Sequence, residues 1–238
     1  MAELRPRTGA REAKRRAPLT EESIYEKILA SIFDHRLPPG TKLGEDRLAA
    51  IFGVSRARIR RVLPRLAHEG VVTLEPNRGA FVAKPTVAEA RDVFQARRLI
   101  EPGIVENLMR QPDLAATLAR LRRHVGAEAK ARAAGDTRAI VRLSGEFHVL
   151  LADAAGNAVL TKTMRELASL TCLVIALYDR PAVPSCLGEE HGDILEAIAA
   201  GERARAAKLM VDHLNHVEQN LDLTAVEAAP VELEDALG

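Results

Sequence analysis

The chain has 238 residues, 47% of them hydrophobic, with two Cys and no Trp, which suits one large or two modest domains cored by Leu, Val, Ala and Ile. No apolar run approaches the ~18 residues of a membrane span, no apolar stretch marks a secretory signal, and Cys172 and Cys186 form no CxxC pair, so free thiols in a reducing cytoplasm and no membrane are expected. The near-neutral total hides a split: residues 1–80 carry 16 Lys and Arg against 10 Asp and Glu, while residues 81–238 carry 18 against 23, so only the N-terminal part suits a polyanionic partner.

Residues 1–18 are polar and Arg-rich and read as a disordered basic arm. Leu19 to Ser23 opens a first helix that turns Ile24, Ile28, Leu29 and Ile32 toward a core. Asp46 to Phe52 reads as a short helix stopped by Gly53, and Ser55 can cap the next one. That helix carries Ser55, Arg56, Arg58, Arg60 and Arg61 on its wet side, with Ile59, Val62, Leu63 and Leu66 opposite. Arginine forks suit phosphate oxygens and the O6/N7 edge of guanine. Taken alone, a solvated basic surface helix accounts for the pattern equally well. Pro64 removes a backbone hydrogen bond, at a cost of ~3 kcal/mol in a helix interior, so a kink is expected there, or a helix that reads with its first two turns.

Val71 to Leu74 and Ala80 to Val82 are β-type runs around Glu75-Pro76-Asn77-Arg78-Gly79, a hairpin with Arg78 at its tip. A helix-turn-helix followed by such a wing is a DNA-binding layout. The second helix enters the major groove, and Arg78 can reach phosphate or the minor groove.

Lys84-Pro85-Thr86 reads as a linker, with Thr86 capping the next helix. Six helices are then predicted: Val87–Arg110, Asp113–Ala134, Thr137–Ala155, Ala158–Tyr178, Cys186–Ala200 and Arg203–Leu223, separated by glycine, proline or capping residues. The predicted fold is mainly α: an N-terminal winged helix-turn-helix with a small β-hairpin wing (19–83), a linker (84–86), and an antiparallel six-helix bundle with room for a central pocket (87–223). The tail, 224–238, is acidic and expected to be disordered.

His148, His191 and His213 fall on three different predicted helices. Converging in a bundle core, three imidazoles can hold a divalent metal with positions left open. Spacing alone is a weak signal, since isolated helical histidines are more often exposed or satisfied locally. His35, His68, His124 and His216 read as ordinary surface residues.

Pro39-Gly40-Thr41-Lys42-Leu43, Leu48-Ala49, Gly53-Val54-Ser55-Arg56, Arg60, Leu63, Leu66, Glu69-Gly70 and Arg78-Gly79-Ala80-Phe81-Val82 together resemble the winged-helix domain of GntR-family bacterial transcription regulators, over about Leu19 to Ala83. The resemblance implies a homodimer on a short palindromic operator in double-stranded DNA, contacted by Arg56 and Arg60 with the residues around Ala57 and Arg58. The candidate DNA-binding set is Ser55, Arg56, Ala57, Arg58, Arg60, Arg78 and Gly79. Ala57-Arg58 stands where the family often has threonine and then a small residue or proline, which puts base preference in question.

Phe147-His148, Ala154-Ala155-Gly156-Asn157, His191 with Ile194-Leu195-Ala197-Ile198, Gly201-Glu202, Ala206, Met210 and His213-Leu214 resemble the FCD effector-binding domain of the FadR-type branch, over about Val87 to Leu223. Six helices rather than seven point to the VanR-like subgroup. Many such domains hold zinc or another divalent ion through three histidines and an aspartate or asparagine. His148, His191 and His213 match the histidine positions, with zinc foremost and nickel or manganese open. Ser144 stands at the fourth position and weakens the site. Arg97, on the first bundle helix, matches the arginine that receives a carboxylate; an ion pair with Glu101 four residues on is the structural alternative. Asn157 matches a Gly-Asn turn whose plainer role is a helix cap. The effector-binding candidates are thus Arg97, Ser144 and Asn157.

The implied function is a ligand-responsive dimeric repressor, not an enzyme, whose operator affinity answers to a small organic acid. The alternatives are a metal-dependent hydrolase using the three histidines and an architectural DNA-binding protein without an effector. Against the hydrolase, the chain has no HExxH, GxSxG or P-loop motif.

Overall fold

The computed structural model describes residues 19–179, 189–224 and 233–237. Helix α1 (Glu21–Phe33) starts where the Thr20 hydroxyl accepts the Ser23 N–H at 3.1 Å, and it buries Ile24, Ile28 and Ile32. Strand β1 (Lys42–Leu43) leads into α2 (Glu45–Phe52), which stops at Gly53 in the left-handed conformation, φ 62°. Ser55 fills the N-cap position of α3 (Arg56–His68) with its backbone, while its side chain makes no capping hydrogen bond. Ile59, Val62, Leu63 and Leu66 of α3 are buried.

Helix α3 continues through Pro64 as far as His68. Pro64 lies on the exposed side of the helix, where water can satisfy the Arg60 carbonyl that loses its N–H partner.

Strands β2 (Val72–Glu75) and β3 (Gly79–Val82) form the expected hairpin, with Val72 opposite Val82 and Glu75 opposite Gly79. The turn uses Asn77 at φ 60° and Gly79 at φ 100°. Beyond the hairpin, β1 pairs with β3, Lys42 opposite Phe81, so the antiparallel order is β1-β3-β2.

Helix α4 (Val87–Leu108) begins with a capping box. The Thr86 hydroxyl accepts the Glu89 N–H at 3.2 Å, and the Glu89 carboxylate accepts the Thr86 N–H at 2.7 Å. Thr86→Ala is therefore expected to destabilise the fold by about 1 kcal/mol in urea unfolding; an unchanged midpoint would remove this cap from the account.

Helices α5 (Leu114–Ala133), α6 (Thr137–Ala154), α7 (Ala158–Tyr178), α8 (Glu190–Ala199) and α9 (Arg203–Gln219) complete the bundle. The expected start of α8 at Cys186 lies outside the described residues, and α9 ends at Gln219 rather than Leu223. Helix α4 packs on α7 and α9, and α5 on α6 and α8, around a core that includes Ile104, Phe147, Met164 and Met210.

The tail is not wholly irregular. Leu233–Leu237 form a one-turn helix, α10, and its Leu233, Ala236 and Leu237 join the core of the winged helix. The two halves of the chain also meet through α7, whose Leu173 belongs to that same core. A Cβ on Gly70 would stand 3.4 Å from Leu170. The Tyr178 hydroxyl donates to the Pro85 carbonyl at 2.9 Å, fixing the linker to the end of α7. Among the described residues no helix is long and apolar enough to cross a membrane.

Candidate functional site

Two sets of functional side chains emerge, one on each half of the chain. On α3, Ser55, Arg56, Ala57 and Arg60 are exposed. Arg56 pairs with Asp46 at 3.0 Å and Arg60 with Glu45 at 2.7 Å, both carboxylates coming from the start of α2. Farther along, Arg61 pairs with Glu21 at 2.6 Å and Arg65 with Glu22 at 2.9 Å. The Arg60 side chain is 61% exposed, and ion pairs this wet are weak, so phosphate oxygens can displace the carboxylates. Arg58 behaves differently. It is half-buried and donates to the Leu19 carbonyl at 2.8 Å, tying α3 to the start of α1. At the wing, Arg78 pairs with Glu75 and lies 5.3 Å from the centre of the Phe81 ring, with Lys42 at 5.8 Å from the same ring. Gly79 supplies the positive φ that turns the wing.

The second set is buried. His148 of α6, His191 of α8 and His213 of α9 are all 5% exposed or less, and ligand nitrogens from all three lie within 4.8 Å of one another. A carboxylate faces Nδ1 of each ring. His148 donates to Glu101 at 2.6 Å, His191 to Glu128 at 2.8 Å and His213 to Glu190 at 2.7 Å. An ionised carboxylate only accepts, so wherever the glutamate is ionised this arrangement favours the tautomer with Nδ1 protonated and Nε2 as a lone pair. Burial, with Arg97 adding to it, pushes His148 and His191 well below the usual histidine range, so both rings are neutral. Burial also works to raise Glu101, but Arg97 and His148 outweigh it and hold the carboxyl at about 2. At Glu128 burial prevails over the pull of His124 and Arg132 and raises the carboxyl to about 7.

Nε2 of His191 and Nε2 of His213 stand 3.2 Å apart. Two nitrogen lone pairs facing each other at that distance repel unless a proton or a metal ion lies between them. Histidine nitrogens about 2.05 Å from a tetrahedral ion stand about 3.3 Å apart, so these residues fit a divalent metal.

Arg97 and Ser144 join the histidines, while Asn157 does not. Arg97, Ser144, His148, Thr171 and His213 line one small cavity of about 10 Å³, room for roughly one water. Arg97 is 2% exposed; its Nε donates to Glu101 at 2.6 Å and its Nη1 to Thr171 at 3.1 Å, while its Nη2 is buried with no hydrogen-bond partner. The predicted alternative, the Arg97–Glu101 ion pair, is thus present, and one donor is still left over. Asn157 is exposed and accepts from the Val159 and Leu160 N–H groups as the cap of α7, away from the cavity lining. A larger groove of about 280 Å³ runs between α1 and the α6–α7 pair, lined by Leu29, Phe33, Val149, Leu150 and Ala168 among others. Its open surface is mainly apolar, with Glu69, Arg142, Glu146 and Arg165 also along it.

Sequence reading missed the three carboxylates as histidine partners. Glu128 left a trace: Leu118, Leu121, Val125 and Glu128 follow one helical stripe, and the glutamate is buried with its apolar neighbours. Glu190 left none, since its reach to His213 and to His216 depends on how α8 meets α9. His216 is exposed as expected. His124 is not: it is largely buried, and its Nε2 donates to the Leu143 carbonyl at 2.8 Å and stands 3.6 Å from Glu128. His35 is also partly buried, at a φ of 53°.

A winged helix with an arginine face, joined to a helical bundle with a buried polar centre, defines a class of bacterial DNA-binding regulators that pair a reading head with a ligand-type domain. Residues 20–82 match the bacterial regulatory proteins of the gntR family and residues 92–216 match the FCD domain. The chain belongs to the GntR family of transcription regulators, in its FCD-bearing, FadR-type branch. It is 28% identical over 207 residues to the HTH-type transcriptional regulator LutR of Bacillus subtilis (strain 168), covering 78% of this chain and 93% of that one. It is 23% identical over 201 residues to the HTH-type transcriptional repressor RspR of Escherichia coli (strain K12), covering 84% and 88%. A GntR structure from Rhodococcus sp. RHA1 superposes with a TM-score of 0.74 at 24% identity, covering 84% of this chain and 95% of that one, and shows the shared fold.

Proposed function

We propose that this protein is a cytoplasmic, homodimeric repressor of the VanR-like subgroup, whose grip on a palindromic operator is modulated by a small carboxylic acid bound beside a divalent metal. In this reading residues 19–83 bind DNA and residues 87–223 bind effector and dimerise. Six bundle helices among the described residues support the subgroup, and the repressor role draws on the likeness to RspR.

The observation that carries the reading is the meeting of three buried histidines, with ligand atoms within 4.8 Å of one another, beside Arg97, which shares a small polar cavity with His148 and His213. Three imidazoles, each with a carboxyl group against its Nδ1, are a donor set for zinc, nickel or manganese. When bound, the metal would supply Lewis-acid attraction for an anionic ligand. Arg97 then offers a charge-assisted hydrogen bond to the same carboxylate. Ser144 adds no charge, so the site keeps more net positive charge than one with an acidic fourth ligand. Glu101, Glu128 and Glu190 sit on the Nδ1 sides of the rings, away from the converging Nε2 atoms. None is placed as a general base there, which disfavours hydrolysis.

Helix α7 links ligand to DNA. Its Thr171 holds Arg97 on the ligand side, while Leu170 and Leu173 on the adjoining face touch the winged helix. A ligand that draws Arg97 shifts α7 and so the placement of the reading heads. It acts as a switch only if it binds the two placements unequally.

Elemental mass spectrometry on untagged protein purified without chelator tests the centre. About one divalent ion per chain is expected, with Glu101→Gln lowering metal affinity roughly 10- to 100-fold. No metal after reconstitution with zinc, nickel and manganese would sink the metal part of the proposal.

A further inference from the structure

The last turn of the chain touches the reading head. Leu233, Ala236 and Leu237 of α10 bury into the winged-helix core, at the i, i+3, i+4 spacing of one helical face. The opposite face carries Glu234 and Asp235, both exposed. Glu234 takes the guanidinium of Arg47, accepting from Nε at 3.0 Å and also from Nη2. At the other end of α10, Arg36 Nη1 donates to the Ala236 carbonyl at 2.9 Å, a cation placed on a helix C-terminus. Two arginines of the reading head therefore bracket this turn. Arg47 stands on α2, the first helix of the helix-turn-helix, and in this motif the first helix crosses the DNA backbone.

We propose that α10 is an autoinhibitory strap whose Glu234 occupies Arg47 and competes with DNA phosphate for it. The turn Leu233–Leu237 carries Glu234 and Asp235 and no Lys or Arg, so it brings only negative charge to that surface. A single turn of helix is unstable by itself. Tethered to the bundle, it meets its seat at a high effective concentration, and Leu233 and Leu237 hold it there. The strap weakens DNA binding until phosphate displaces it or a change in the bundle withdraws it.

This inference rests on the DNA-binding reading above. The test measures fluorescence anisotropy of a labelled mixed-sequence duplex with full-length protein, Glu234→Gln, a chain ending at Thr224, and Arg60→Ala. Both strap variants are expected to bind the duplex roughly three- to tenfold more tightly at low salt, with a plot of log affinity against log salt steeper by about 0.9. A synthetic peptide of residues 225–238 should weaken binding by the shortened chain. If truncation exposes the core and unfolds the protein, Glu234→Gln decides alone, since glutamine keeps the apolar seats. Equal or weaker binding by Glu234→Gln, with Arg60→Ala still impaired, overturns the strap and leaves the DNA reading standing. An Arg60→Ala protein that binds like wild type overturns the DNA reading itself.

Discussion

Arg60→Ala is expected to weaken operator binding by about 1–3 kcal/mol, roughly 5- to 150-fold, and to relax base preference at one position of each half-site. The side chain is exposed on the second turn of α3, where it makes a wet ion pair with Glu45 at 2.7 Å. Removing it also leaves the Glu45 carboxylate facing the phosphates with one less cation to neutralise it, so the loss should lie toward the upper end of that range at low salt. Thermal stability should not change, because no buried contact is lost. Glu45→Gln should act in the opposite direction and bind DNA more tightly. Electrophoretic mobility shift on an operator selected from a random-sequence pool measures both. Arg58→Ala makes a useful contrast: its guanidinium holds the Leu19 carbonyl, so its main effect should fall on stability rather than on base choice.

His191→Ala should abolish the response to divalent metal. Wild-type protein is expected to gain up to ~4 kcal/mol of stability when metal is present at a thousandfold excess over its dissociation constant, read as a rise in melting temperature on adding zinc, nickel or manganese. The alanine variant loses one of three ligands and should show little of that rise. It also leaves Glu128 buried without its 2.8 Å partner. Glu128 titrates at about 7 in the metal-free fold because burial raises it, so it can become neutral in the variant rather than unfold the bundle. A metal-induced rise of equal size in both proteins would remove His191 from the centre.

Much of this architecture is legible in the residues, because local signals and tertiary packing agree. Helix α7 begins after Asn157 and ends at Tyr178 as its caps and apolar content dictate, and Thr86 announces α4 through a box that closes in the structure. The arginine face of α3 follows from the apolar stripe behind it. The histidines could be placed on three helices, but that they meet followed from the family resemblance rather than from spacing. The features that stayed hidden depend on contacts between distant elements. Strand β1 is two residues long, too short to alternate. Helix α10 is a single turn that exists through its seat on the winged helix. Pro64 stands inside α3, where its missing N–H costs a backbone hydrogen bond, and only the structure shows that its ring lies on the exposed side. Arg58 sits among exposed arginines in the sequence, and its bond to the start of α1 draws it inward.

A carboxylate bound at the histidine–Arg97 centre should change the grip of α3 on DNA. The most direct measurement is operator affinity of metal-loaded protein across a panel of small organic acids, for wild type and Arg97→Lys. Lysine keeps a charge for Glu101 but lacks the spare Nη2 donor. At least one acid should shift wild-type affinity, and Arg97→Lys, folded and metal-loaded, should answer to it far more weakly. An Arg97→Lys protein that responds as wild type does, or a metal-loaded wild type deaf to every acid, would contradict that expectation.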